Sequence, residues 1–307
     1  MKNSFKLFSL VSVIILSLSL TGCEDNDPVM QNNTITDVAA SNPNFSTLVL
    51  ALQRAGLDDD LANPSVSLTV FAPTNAAFAA LLTELGVASL NDIPVETLTK
   101  VLLYHVKSEK STASQITTGY YSTLASGPST GSNLSLYVDM TTTKINDRSL
   151  ITQTDVMADN GVIHVIDKVL LPPTVVGLAQ QNSMFSTLVL AVIKADLATT
   201  LSGTGPFTVF APTNEAFTAL FTTLGVSGIN ALSKEALTPI LLAHVVSGNV
   251  RSANLTSGTV PSLNTAKPLN ITVSSGGVTI NGSINVLKAD VQGNNGVVHV
   301  INKVIVP

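Results

Sequence analysis

Four histidines and one cysteine are the residues of this chain best suited to acid–base, nucleophilic or metal chemistry. His105 and His244 fall on apolar stripes with helical spacing, whereas His164 and His299 fall within apolar runs typical of buried strands. A metal site or an acid–base pair in each half of the chain would need further ligands or a suitably spaced carboxylate, which the sequence does not reveal. We therefore favour histidines that are buried and hydrogen-bonded between a helix and the last strand, and we predict no metal and no cofactor.

The sequence lacks the motifs that mark common enzyme and nucleic-acid-binding classes. It contains no Gly-x-Ser-x-Gly elbow, no phosphate-binding P-loop and no dinucleotide fingerprint. Its formal net charge is −5 and no Lys/Arg cluster is present, whereas phosphate binding needs a basic surface. We predict a protein that is not an enzyme, has no catalytic residue and does not bind nucleic acid.

The single cysteine closes a segment with the features of an export signal. Lys2 and Lys6 precede an apolar run over residues 7–20, which is too short to span a bilayer. The run ends in Leu-Thr-Gly-Cys at 20–23, which resembles the bacterial lipobox, whose cysteine thiol takes up diacylglycerol. We predict a signal peptide over 1–22 and lipidation of Cys23, the alternative being an ordinary signal peptide followed by a free thiol.

An acidic stretch follows the cysteine. Residues 24–27 read Glu-Asp-Asn-Asp and resemble the export signal that sends lipoproteins of some Bacteroidota to the outside of the outer membrane. The alternative is a solvated acidic tether between the membrane and the folded part of the chain. We predict a lipidated cysteine and tether over 23–33. The expected location is the outer membrane, exposed at the cell surface or facing the periplasm.

Most of the remaining sequence is one unit present twice. Phe-Ser-Thr-Leu-Val-Leu-Ala at 45–51 recurs at 185–191, and Thr-Val-Phe-Ala-Pro-Thr-Asn at 69–75 recurs at 208–214. Further matching segments occur in the same order in both copies. This pattern indicates a duplicated domain.

The copies define two domains of nearly equal length. We predict a first domain over 34–172 and a second over 174–307, each folding separately. The joint at Pro172-Pro173 is short and stiff, which limits the angles between the domains. The copies differ most in the region 107–133, which we interpret as a loop that is recast and shortened in the second domain.

Helical patterns dominate the first part of each copy and strand patterns the second part. Apolar residues with helical spacing end at Gly56, and residues 68–72 are rich in strand formers. Pro239 is expected to open a shortened helix. Apolar and polar residues alternate over 134–138, as they do in the second copy. Helices followed by antiparallel strands predict an α+β fold.

Two pairs of polar residues stand where a strand changes into a helix. Thr74 and Asn75 follow a proline in the first copy, and Thr213 and Asn214 follow one in the second. These residue types favour helix capping and turn formation, and we assign them that structural role rather than a binding role.

Two long signatures, each present twice, resemble those of the fasciclin family, also called FAS1. The first is Thr-Val-Phe-Ala-Pro-Thr-Asn-x-Ala-Phe at 69–78 and 208–217, and the second is Asn-Gly-x-x-His-x-Ile at 160–166 and 295–301. Between them, family members carry a Tyr-His pair, here Tyr104-His105. The resemblance implies a β-sandwich or wedge of about seven strands with helices packed at one edge.

The same resemblance implies extracellular adhesion through matrix proteins or glycans, without enzymatic activity. It makes Tyr104 and His105 candidates for binding, although Ala243 replaces the tyrosine in the second copy. An exposed Tyr104 would anchor a partner, whereas a buried Tyr104 would only pack locally. The leading hypothesis is a lipid-anchored adhesion module whose partner is an extracellular protein or polysaccharide. The alternative is a carrier of a small apolar ligand, such as a lipid or pigment, held between helices and sheet.

Overall fold

A computed structural model describes residues 33–306 of the chain. The predicted signal peptide, the predicted lipidation site Cys23 and all but the last residue of the predicted tether lie outside the described residues. Within 33–306, no helix is both long and apolar enough to cross a bilayer.

The first domain begins with helices and ends with strands. Its helices are α1 (Ile35–Ser41), α2 (Ser46–Ala55), α3 (Asp58–Ala62), α4 (Asn75–Leu85) and α5 (Val95–Tyr104). Its strands are β1 (Leu68–Pro73), β2 (Val106–Ser108), β3 (Gly119–Ser126), β4 (Asn133–Asp139), β5 (Lys144–Ile145), β6 (Ser149–Ala158) and β7 (Gly161–Ile166).

The second domain repeats this order. Its helices are α6 (Val175–Gln180), α7 (Ser186–Lys194), α8 (Ala198–Leu201), α9 (Asn214–Leu224) and α10 (Lys234–Ala243). Its strands are β8 (Phe207–Pro212), β9 (Val245–Ser247), β10 (Gly258–Val260), β11 (Leu269–Ser274), β12 (Gly277–Ile280), β13 (Ile284–Gly293) and β14 (Gly296–Ile301).

Each domain is built on one seven-stranded sheet, which confirms the predicted α+β class and strand number. The order is β2-β1-β7-β6-β5-β4-β3 in the first domain and β10-β11-β12-β13-β14-β8-β9 in the second. The two pairs β1/β7 and β8/β14 are parallel, and the remaining pairs are antiparallel. Every residue of β7 and of β14 is buried, as predicted for the strand that closes each domain.

The sheet is folded on itself by bulges in its longest strand. The pairing of β6 with β7 shifts register twice, and the same shifts recur between β13 and β14. Asp155 and Asp290 lie at these bulges with φ angles of 59° and 61°. A bulge bends and twists a strand, and in the first domain β3 thereby returns to pack against α5 and β2. The result is the wedge expected for this fold.

Each domain therefore has two apolar clusters, one on each face of the central strands. The larger cluster lies between the helices and the sheet and contains Phe45 and Phe78 in the first domain. The smaller lies inside the folded sheet and contains Phe71, Tyr104 and Leu136. The second domain repeats both clusters around Phe217 and Phe210.

Two expectations from the sequence are wrong. Pro239 does not open a helix but lies inside α10, because Ser233 caps the helix earlier, with its Oγ 3.3 Å from the Ala236 nitrogen. Proline has no N–H, so the Glu235 carbonyl loses its helical donor, and both residues are exposed at the surface. The region 107–133 is not simply a loop, because it contains the eight-residue strand β3.

Candidate functional site

The Tyr-His pair that the sequence suggested as a binding site lies in the interior of the first domain. Tyr104 is 0% exposed. Its hydroxyl donates a hydrogen bond to the Ser135 carbonyl at 2.9 Å and accepts one from Asn146 Nδ2 at 3.0 Å. Burial raises the pKa of this hydroxyl above its ordinary value. The idea of an exposed Tyr104 that anchors a partner is therefore corrected, and the ring packs locally instead.

His105 is equally buried and joins a helix to the end of the sheet. Its Nδ1 donates to the Val101 carbonyl at 2.7 Å within α5, and its Nε2 accepts from the Leu170 N–H at 2.8 Å. Both ring nitrogens are thus occupied in the neutral form, and burial lowers the pKa of His105 to about 4. His244 repeats the arrangement in the second domain, with Ile240 and Ile305 as partners and a pKa that burial likewise lowers to about 4.

The remaining histidines, His164 and His299, lie on the central strands β7 and β14. His164 Nε2 lies 2.9 Å from the Ser111 carbonyl, and its ring stacks on Phe71 with centroids 5.6 Å apart. His299 makes the equivalent contacts with Val250 at 2.9 Å and with Phe210 at 5.5 Å. No group of three or more potential metal ligands occurs within residues 33–306. The contacts of all four histidines are structural.

Thr74 and Asn75, at the start of α4, cap two different helices. Thr74 caps α4, with its Oγ1 3.3 Å from the Ala77 nitrogen. Asn75 does not cap its own helix, because its Oδ1 accepts from the Thr47 N–H at 2.9 Å and so caps α2, whose own N-cap Phe45 has no acceptor. Thr213 and Asn214 repeat these roles in the second domain, toward Ala216 and Thr187.

The Asn-Gly pair of the second signature fastens the first helices to the sheet. Asn160 Oδ1 accepts from the Ile35 N–H at 2.8 Å, and its Nδ2 donates to the carbonyls of Leu61 and Asn63 at 2.8 and 3.0 Å. A Cβ at Gly161 would lie 2.3 Å from the Leu68 carbonyl oxygen, so only glycine fits there. Asn295 and Gly296 repeat this arrangement.

The two domains meet through residues that are not part of either signature. The Gln292 N–H donates to Ser135 Oγ at 3.0 Å, which joins β13 of the second domain to β4 of the first. Tyr120 of β3 packs against the core of the second domain, and its hydroxyl lies 3.0 Å from Asn182 Nδ2. Burial raises the pKa of Tyr120 to about 12. Asn249 also crosses the interface, with its Nδ2 2.7 Å from Ser129 Oγ.

A polar cleft of about 450 Å³ lies beside these contacts, and we refer to it as the interdomain cleft. One wall is formed by the first domain and the other mainly by β13. The first-domain lining consists of Tyr120, Tyr121, Ser122, Gly131, Ser132, Asn133 and Ser135, and the second-domain lining of Arg251, Lys288, Ala289, Asp290, Val291 and Gln292. Its volume lies within the range of about 300–1,000 Å³ that is usual for ligand sites.

The charges in the cleft favour an anion. Asp290 is its only carboxylate, and both oxygens of that carboxylate are engaged by Ser252, one by the backbone N–H at 2.7 Å and the other by the hydroxyl. Arg251 and Lys288 form no ion pair with any residue of 33–306. Arg251 donates through Nη1 to the Gly131 carbonyl at 2.8 Å, which leaves most of its five donors available.

Sequence reasoning did not find this cleft. Most of its residues differ between the copies, so the repeat that identified the fold gave no indication of them. Adjacent Tyr120 and Tyr121, in a chain with only four tyrosines, were the one visible signal.

Two of the apolar cavities between helices and sheet are small. The one next to His244 holds about 30 Å³ and the one next to His105 about 20 Å³, room for about one water molecule each. A third, between α2, α3, α5 and β3 of the first domain, holds about 250 Å³ and is lined mainly by leucine and valine. We call this third cavity the leucine pocket.

Comparisons with known proteins agree with this architecture. The chain is 47% identical over 134 residues to Protein sll1483 of Synechocystis sp., a match that covers 44% of this chain and 73% of that protein. It is 30% identical over 249 residues to the transforming growth factor-beta-induced protein ig-h3 of Sus scrofa, covering 78% of this chain but only 35% of that protein. The chain thus spans about a third of this animal relative.

A solved structure shares the fold of both domains together. It is the FAS1 domain pair from the insect cell adhesion molecule fasciclin I, with a TM-score of 0.50, 18% identity, and coverage of 85% of this chain and 97% of that one. The family model of the fasciclin domain matches residues 43–172 and again 183–307. With both of its domains matched, the chain belongs to the fasciclin domain family.

Proposed function

We propose that this protein is a non-enzymatic adhesion lipoprotein that binds an extracellular protein or polysaccharide. The observation that carries the proposal is the interdomain cleft, a polar site whose two cations form no ion pair with any residue of 33–306, in a chain with two fasciclin domains. The family resemblance supports adhesion, and the solved domain pair comes from the insect cell adhesion molecule fasciclin I. The buried, fully bonded histidines are consistent with a protein without acid–base chemistry.

The proposed anchor is a lipid on Cys23, and the proposed location is the outer membrane, exposed at the cell surface. The Leu-Thr-Gly-Cys sequence and the acidic stretch after it support this assignment. If residues 24–33 were fully extended, they would hold the first domain within roughly 35 Å of the lipid. Such a tether favours partners at or near the membrane surface.

A binding experiment tests the proposal. The full-length chain, purified in mild detergent, is applied to an array of extracellular matrix proteins and polysaccharides, with the heat-unfolded chain as control. We expect saturable binding to at least one partner by the folded chain alone, and no change in the length of any bound polymer. Absence of binding to every partner, or cleavage of a polymer, would contradict the proposal.

The leucine pocket favours a second candidate function, the transport or storage of a small apolar ligand. Its volume of about 250 Å³ suits a short acyl chain but is below the range usual for larger ligands. Leu124 lines the pocket, so Leu124→Trp should fill it and abolish binding of a fluorescent medium-chain fatty acid. Leu150→Trp, at an exposed leucine of the same domain, is the matched control. Equal binding by both variants would exclude this pocket as the site.

A further inference from the structure

We propose that the interdomain cleft binds an acidic saccharide, with Lys288 and Arg251 engaging the carboxylates of its uronic acid residues. The inference rests on the proposed function, because it names the chemical class of partner for the same site. It commits to a polysaccharide segment rather than to a protein.

The charge of the ligand follows from the cations of the cleft. Lys288 is exposed on β13, and Arg251 approaches the same opening from the loop that precedes β10. The one carboxylate between them, Asp290, is already held by Ser252, so it neither pairs with the two cations nor needs a ligand of its own. Two cations with no carboxylate partner in the described chain favour an anionic ligand. Arg251 can form the paired hydrogen bonds that suit a carboxylate.

The polar lining favours a sugar over a peptide. Hydroxyl and amide groups dominate the first-domain wall, among them the exposed Ser122 and Asn133, and the second-domain wall adds the two cations. Peptide anchors are usually aromatic or aliphatic groups in desolvated pockets. A saccharide instead presents many hydroxyls, which pair with groups of this kind.

The cleft also has rigid walls. Gln292, which is 2% exposed, donates through Nε2 to Asn249 Oδ1 at 2.8 Å and to the Gly296 carbonyl at 2.7 Å. These bonds lie within the second domain and fix the side chain of Gln292, whose backbone N–H binds Ser135 Oγ in the opposite wall. A preorganised site avoids the ordering cost that weakens flexible ones.

Calorimetric titration with an oligogalacturonate tests the inference directly. The full-length chain in mild detergent is titrated with this oligomer, with the methyl-esterified oligomer of the same length, and with citrate. We expect saturable binding of the acidic oligomer at sub-millimolar concentration, at least about tenfold weaker binding of the ester, and no comparable binding of citrate. Equal affinity for the ester would show that the cleft does not recognise the carboxylate charge. Equal affinity for citrate would show that it does not recognise the saccharide. Either result overturns the inference.

Two substitutions locate the binding at the cleft. Lys288→Gln should lower the affinity for the acidic oligomer about five- to tenfold, which is the loss expected for one charge-assisted contact at a partly solvated site. Lys267→Gln removes the same charge from an exposed loop of the same domain outside the cleft and should leave affinity unchanged. Equal effects of the two substitutions would overturn the assignment to the cleft.

The outcome separates this inference from the broader proposal. If the oligomer fails to bind while a protein or neutral glycan on the array binds, the saccharide assignment fails and the adhesion function stands. If nothing on the array binds, both fail.

Discussion

Ser135 and Gln292 join the two domains, because the hydroxyl oxygen of Ser135 accepts a hydrogen bond from the backbone N–H of Gln292 at 3.0 Å. The carbonyl of the same serine accepts the hydroxyl of Tyr104 at 2.9 Å. One residue of β4 is therefore fixed from inside its own domain and from the neighbouring domain. Tyr104 therefore helps to position the interdomain cleft, because it holds β4, which contributes to the first-domain wall.

Removing the hydroxyl of Tyr104 should destabilise the protein. In Tyr104→Phe the Ser135 carbonyl and Asn146 Nδ2 both lose a buried partner, which we expect to cost about 1–3 kcal/mol in the free energy of unfolding. Urea denaturation measures this change. Tyr137→Phe is the control, since that ring is only partly buried, and it should cost less than about 0.5 kcal/mol. Equal stability of the two variants would contradict the role given to Tyr104.

The separated halves should fold, but with lower stability than in the intact chain. Fragments 31–173 and 174–307 each retain a seven-stranded sheet and two apolar clusters. The second fragment loses the ring of Tyr120 from its core, so its thermal midpoint should fall more than that of the first fragment. Calorimetry of each fragment and of the intact chain measures the midpoints. A fragment without a cooperative transition would show that the interface is required for folding.

Stability should decrease as the pH falls below neutrality. Burial lowers the pKa of His105 and of His244 to about 4 from 6.5, so the unfolded chain binds protons that the folded chain refuses. Their contribution is fully present above pH 6.5 and is lost as the pH falls toward 4, by up to about 3 kcal/mol for each histidine. His299 acts in the same direction, because burial lowers its pKa as well.

Denaturation at about pH 7.5 and about pH 5.5 measures this dependence above the range in which most carboxylates titrate. A double variant, His105→Gln with His244→Gln, should be less stable at neutral pH but should lose less stability on acidification. The slope of stability against pH is the readout, because a lost hydrogen bond alone would not change it. An unchanged slope in the double variant would contradict the assignment.

The hydrogen bonds by which Asn160 and Asn295 hold the first helices to the sheet, here called the asparagine clamps, should stabilise the two domains equally. Asn160→Ala and Asn295→Ala each leave one backbone N–H and two carbonyls without their buried partner, so each should cost about 2–4 kcal/mol. Asn44→Ala, at an exposed asparagine, should cost less than about 0.5 kcal/mol. Unfolding in urea would reveal the difference, and a neutral effect at either clamp would refute its structural role.

The lipid anchor should depend on Cys23. Cys23→Ala removes the only thiol of the chain, so labelling with a radioactive fatty acid should disappear and the protein should leave the membrane fraction. Cells expressing the unaltered chain are the positive control. Continued partitioning of the variant into detergent would mean that another segment holds it at the membrane.

The repeat and the residue periodicity predicted two α+β domains, and the resemblance to the fasciclin family implied the seven-stranded wedge. Helical stripes ending at Gly56 and Gly86, a β-rich run before Thr74 and alternation in β4 are all local patterns that the structure reproduces. The burial of the histidines followed from the same apolar surroundings. Such features depend on contacts that each of the two domains makes within itself.

The cleft could not be predicted in this way, because its walls come from different domains. Whether Tyr104 was exposed or buried depended on the position of β3, which the sequence suggested was part of a loop. Pro239 was misplaced because helix capping by Ser233 outweighed the preference of proline for a first turn. In both cases a distant or competing contact determined the outcome.

The contact between Ser135 and Gln292 also makes the order of the two copies matter. By strand register, Tyr120 and Ser135 of the first domain correspond to Thr259 and Pro268 of the second. A chain with the copies exchanged would present a threonine in place of the tyrosine that fills its neighbour's core, and a proline that has no hydroxyl to accept the N–H. The two copies have the same fold, but divergence at these positions means that they cannot be exchanged. One copy suits the N-terminal position and the other the C-terminal position.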